Sequence, residues 1–138
     1  MNKIIITSLS QGSKIHAELT NKALAAIELL NPITVIIDEK EYLKVDKGRP
    51  ILKSAFIETF DLILNFLPEA SHRRTYDART IIGDNSQSIH GFNWHTSRSV
   101  AVLARIDGFH LIIVNPKSGI KRYRLAPHVI VTKQNHKE

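Results

Sequence analysis

Apolar positions in this chain fall into short blocks separated by polar punctuation, and the period of the blocks changes along the way. KIIIT (3–7) is a continuous, β-branched run and predicts a buried strand. From His16 to Leu30 the apolar residues Leu19, Ala23, Ala26, Ile27 and Leu30 recur three and four apart, the spacing of one helix face. Asn31-Pro32 ends that helix, because proline disfavours a helical residue before it. ITVIID (33–38) predicts a second buried strand, and the charged EKEYLKVDKGRP has room for a short edge strand at Tyr42–Val45. A second helix is expected from about Pro50 to Leu67, with Pro50 suited to its first turn. Ile51, Ala55, Leu62 and Phe66 mark one stripe of it. Phe56, Ile57, Phe60, Ile63, Leu64 and Leu67 widen the stripe enough to suggest burial on two sides, against a sheet and against a partner subunit.

Beyond Pro68 the pattern predicts only strands. EASHRRTYDA is a basic loop, followed by strands at RTIIG (79–83), SVAVLARI (99–106), FHLIIV (109–114), IKRYRLA (120–126) and HVIV (128–131). Asp107-Gly108 is a hairpin-type turn, and residues 132–138 are expected to be a frayed tail. The expected fold is therefore α/β: β-α-β-α followed by a run of antiparallel strands, a two-layer sandwich with both helices on one face of a single sheet. At 138 residues the chain fits one domain, here residues 1–131.

Charge changes this picture more than composition does. Residues 1–70 carry 8 Lys/Arg and 9 Asp/Glu, whereas residues 71–138 carry 11 and 4. One end of the fold is thus basic, as expected of a protein that meets a polyanion. Cysteine is absent, which excludes disulfides and thiolate metal sites. The apolar run at the N-terminus is too short for a signal peptide, and no run approaches a membrane span. A cytoplasmic protein is expected, with no membrane partner and no cofactor.

Residues 83–99, GDNSQSIHGFNWHTSRS, interrupt the apolar blocks with two histidines, a phenylalanine, the only tryptophan and an arginine. As a mobile loop this stretch suits binding. Phe92 and Trp94 offer flat faces on which bases stack, and Arg73, Arg74, Arg79 and Arg98 pair with phosphates. The same residues allow a different reading, a metal-free RNase. His90 and His95 would serve as acid and base, with Arg98 or Arg79 as the phosphate cation, because histidine titrates near neutrality. A metal site at His90, His95 and His110 lacks a nearby carboxylate. No phosphate-binding glycine loop and no nucleophile elbow are present. The third possibility is a protein-binding module, for instance a mobile-element factor that inhibits a host protein, whose basic surface is incidental.

NKALAAIELLN (21–31), ITVII (33–37) and GRPILKSA (48–55) leading to NFLP (65–68) resemble the Alba superfamily of nucleic-acid-binding proteins. Gly48, Arg49, Ile51 and Lys53 stand where that family opens its second helix, and Lys14 stands in the loop after the first strand. The resemblance spans residues 3–106, with 107–131 as added C-terminal strands. It implies a β-α-β-α-β-β fold, a homodimer joined partly through the second helix, and a mobile arm at 83–99. Lys14, Arg49 and Lys53 would then join the arginines and aromatics in binding DNA or RNA.

Overall fold

The computed structural model describes residues 4–6, 21, 25, 28, 32–45, 48–83, 90–115 and 119–131. Lys14 and the tail at 132–138 lie outside the described residues, and of the first expected helix only Asn21, Ala25 and Glu28 are described, all helical and exposed.

The fold is α/β, and among the described residues its strands form three small sheets instead of one. Strand β1 (Ile4–Ile6) pairs in parallel with β8 (Val129–Val131), Ile5 opposite Ile130. Strands β2 (Ile33–Ile37), β3 (Lys40–Lys44) and β4 (Ile51–Leu52) form an antiparallel sheet in chain order. Strand β2 was expected to be buried; it is the end strand of this sheet, and Ile33 and Ile36 are 65% and 70% exposed. A third antiparallel sheet has the order β5-β7-β6, with β5 at Tyr76–Asp77, β6 at Leu111–Ile113 and β7 at Arg122–Leu125.

Helix α1 (Lys53–Phe66) packs against β3 and β4 and against two further helices, α2 (Ala78–Ile82) and α3 (Trp94–Ala104). Helix α1 thus lies on the β2-β3-β4 sheet, broadly the expected α/β sandwich, and α2 and α3 pack on α1 in turn. Pro50 precedes β4 and does not open α1, because Ile51 and Leu52 are taken up in pairing with Leu43 and Tyr42. The broad apolar surface of α1 is covered by its own chain: Phe56, Ile63 and Leu64 are fully buried, and only Ile57 among its large apolar residues is well exposed. These residues join Leu67, Ile81, Val100, Leu103, Leu111, Tyr123 and Leu125 in one core.

The segments 79–83 and 99–106 were expected to be strands, and both are corrected to helix. In α2 the Asp77 carboxylate accepts from the Thr80 N–H at 2.8 Å, an N-cap that starts a helix directly after β5. Gly83 ends it with φ +72°, a left-handed conformation that glycine adopts without steric penalty. In α3 the buried residues Thr96, Ser99, Val100 and Leu103 lie three and four apart, a helical stripe that begins before the apolar block does. Where the Alba resemblance implies a third and a fourth strand, the chain therefore has α2 and α3. Asp107-Gly108 is a turn, joining α3 to β6 and not two strands. Among the described residues no helix is long and apolar enough to cross a membrane.

Candidate functional site

The first turn of α3 is held by reciprocal hydrogen bonds. The Asn93 side chain accepts from the Thr96 N–H at 3.2 Å, and the Thr96 hydroxyl accepts from the Asn93 N–H at 2.9 Å, a capping box. Asn93 Nδ2 also donates to the His90 carbonyl at 2.9 Å. Gly91 lies between them at φ +64°, where a side chain would be strained. Of the stretch read as a mobile loop, residues 84–89 lie outside the described residues, 90–93 form this tied entry, and 94–99 are helix. Trp94 is therefore not on a loop: it is the first residue of α3.

From Trp94 the helix carries Ser97, Arg98 and Ala101 along the same face, and that face lines a cleft of about 750 Å³. Phe92 just before α3, Gly48-Arg49, the start of α2, and Gly119, Ile120, Lys121 and Tyr123 before and within β7 complete the walls. The cleft brings together Arg49, Arg79, Phe92, Trp94 and Arg98, five of the residues singled out from the sequence. The Arg49 guanidinium sits 4.3 Å over the Trp94 ring, and that of Arg79 sits 4.4 Å over Phe92. Each such contact contributes about 0.5–1 kcal/mol at an exposed site. Both rings remain 37% exposed.

Arg98 reaches the far side of the cleft, where a Cβ at position 48 would lie 3.4 Å from one of its guanidinium nitrogens. Lys121 adds a fourth cation. Among the described lining residues the one acid is Asp77, already engaged by Thr80. Hydrogen bonds from Thr80 hold its carboxyl below the usual carboxylate range, aided by Arg122. The cleft is concave, basic and aromatic, which favours an anion bearing flat groups. Tyr123 is buried at its wall, and burial pushes its phenol up to about 12 against the opposing pull of Arg98. It stays neutral near pH 7 and can donate or accept a hydrogen bond.

The histidines lie elsewhere. His95 Nδ1 accepts from the Leu52 N–H at 3.1 Å, and its ring stands edge-on to Trp94 at 5.2 Å. Burial, with Arg49 and His90 nearby, lowers its pKa, so the neutral imidazole is favoured. His90 meets Glu58 of α1 twice, through its backbone N–H at 3.3 Å and through Nε2 at 3.6 Å. It lines a second cavity, of about 690 Å³, together with Lys53, Glu39 and Glu41. Neither His90 nor His95 lines the arginine cleft. His110 is buried and stacks on Phe109 at 5.0 Å. Among the described residues no three His, Asp or Glu side chains converge as metal ligands would.

Two groups of expected binding residues are also displaced from the cleft. Lys53 pairs with Glu41 at 3.4 Å. Arg73 and Arg74 are exposed in the turn before β5 and do not line the cleft. Lys121, Ser97 and Tyr123 were not singled out from the sequence. The alternation of RYRL, with Tyr123 and Leu125 buried and Arg122 and Arg124 exposed, was the available signal for the last of these. No family model matches this chain, and no curated protein or solved structure matches it either.

Proposed function

We propose that this chain is a small nucleic-acid-binding protein that contacts phosphates through arginine and lysine and stacks bases on Phe92 and Trp94. The observation that carries this reading is the gathering of Arg49, Arg79, Arg98 and Lys121 with two half-exposed aromatic rings in one cleft. Cations alone suit any polyanion; cations interleaved with aromatic faces suit one that carries bases. The basic C-terminal half supplies a long-range field of the same sign.

The test is a mobility-shift titration with labelled RNA and DNA over a series of salt concentrations, with the lanes also inspected for cleavage products. Binding that weakens as salt rises is the expected result, because neutralised phosphates release counterions. A salt slope near zero, or no shift, removes the proposal. Clean, saturable cleavage lost in both His90→Ala and His95→Ala would replace it with the RNase alternative. The homodimer is implied by the Alba resemblance alone, and sedimentation of the free protein decides it.

A further inference from the structure

Resting on that reading, we infer that the cleft takes single-stranded nucleic acid, with an unpaired base displacing a guanidinium from each aromatic face. In the cleft Arg49 covers Trp94 and Arg79 covers Phe92, each at stacking distance. A nucleobase stacks on such a ring more strongly than an exposed guanidinium does. Exchange also releases the arginine, which then lies beside the phosphate attached to that base. One movement thus creates both contacts, and the ligand must present base and phosphate together. A duplex cannot do this, since its bases are already stacked on each other.

The shape of α3 argues the same way. A helix that reads a major groove must project from the surface far enough to enter it. Here Ser99, Val100, Ala101, Val102, Leu103 and Ala104 are all buried, and only the first turn and a half is accessible. The accessible part ends in the cleft and presents Trp94, Ser97 and Arg98.

Trp94 is the only tryptophan, so its emission reports on the exchange directly. The full chain is titrated with single-stranded DNA, single-stranded RNA, the corresponding duplexes, and inorganic polyphosphate as a base-free polyanion. The expected result is quenching by the single strands alone. Trp94→Leu should then bind single strands between about 5-fold and about 150-fold more weakly. Trp94→Phe, which keeps a flat face, should recover part of that loss. Arg49→Ala should alter the emission of the free protein, leave the quenched end point unchanged, and lower the salt slope by about 0.7. Circular dichroism checks that each variant is folded. Duplex binding as tight as single-strand binding, with Trp94 emission unchanged, overturns this inference and leaves the proposed function standing. Polyphosphate bound as tightly as oligonucleotide, with Trp94→Leu unimpaired, also overturns it. Absence of binding to every nucleic acid removes both readings.

Discussion

The backbone N–H of Leu52 donates to Nδ1 of His95 across 43 residues of chain, joining the strand before α1 to the first turn of α3. The bond requires a lone pair on Nδ1, so it exists only while the imidazole is neutral in its Nε2–H form. Burial and the charges of Arg49 and His90 favour that neutral form. A histidine whose folded pKa lies below its unfolded value contributes stability that is complete above about 6.5 and is lost as pH falls through the folded pKa. The melting temperature should therefore drop on acidification from pH 7 to pH 5, and drop less in His95→Asn, whose amide oxygen accepts the same bond without titrating. Parallel pH profiles for the two proteins would refute this role for His95.

Asn93 supports Trp94 through the helix start. Asn93→Ala removes the acceptor for the Thr96 N–H and the donor to the His90 carbonyl. The expected loss is about 0.5–2 kcal/mol in urea unfolding. Asn93→Asp should retain most of the stability, since it keeps the capping oxygen. An Asn93→Ala variant as stable as the parent would mean that α3 does not depend on its cap.

How much of this was legible in the sequence depends on which physical signal governed each segment. The helix at 53–66, the strand at Ile4–Ile6 and the strands near 111–113, 122–125 and 129–131 follow from local period and β-branching. The segment around α3 misled because Val100-Ala-Val-Leu103 reads as a strand by composition. Its helical stripe is visible only when Thr96 and Ser99, polar but buried, are counted with it. The Asn-x-x-Thr pair at 93–96 caps the helix that begins at Trp94, and it was absorbed into a polar loop. The cleft was half legible. Charge and aromatic content pointed to Arg79, Phe92, Trp94 and Arg98, and the Alba resemblance to Arg49, but residue type says nothing about convergence. Arg73 and Arg98 look alike in sequence; only folding separates an exposed turn from a cleft wall.

Both strands of the β2–β3 hairpin were expected, but the tight turn that joins them was not. Asp38 and Glu39 both have positive φ, 50° and 65°, so the turn is of the two-residue type that matches strand twist. Asn-Gly usually announces such a turn, and a glutamate in the left-handed region carries a penalty of about 1–2 kcal/mol. Replacing Asp38-Glu39 by Asn-Gly should raise stability, with part of the relief offset by the greater unfolded-state freedom of glycine. A gain on the order of 0.5 kcal/mol is expected from the urea midpoint. A lowered midpoint would mean that the native side chains make contacts worth more than the backbone strain.

The position of the cations yields the last prediction. Arg98 and Lys121 line the cleft, whereas Arg73 and Arg74 stand exposed in the turn before β5. If ligand phosphates are neutralised inside the cleft, each cation removed there takes one counterion-release step with it. For a single strand that step is about 0.7 in the slope of log affinity against log salt. The double variant Arg98→Gln/Lys121→Gln should therefore flatten the slope by about 1.4. Arg73→Gln/Arg74→Gln carries the same change in net charge and serves as the control. It should lower affinity slightly through the long-range field and leave the slope nearly intact. Measuring both slopes on one oligonucleotide separates contact from field. The reverse outcome, a flattened slope only when Arg73 and Arg74 are changed, would move the phosphate contacts to the turn at 71–75 and leave the cleft without a role in binding.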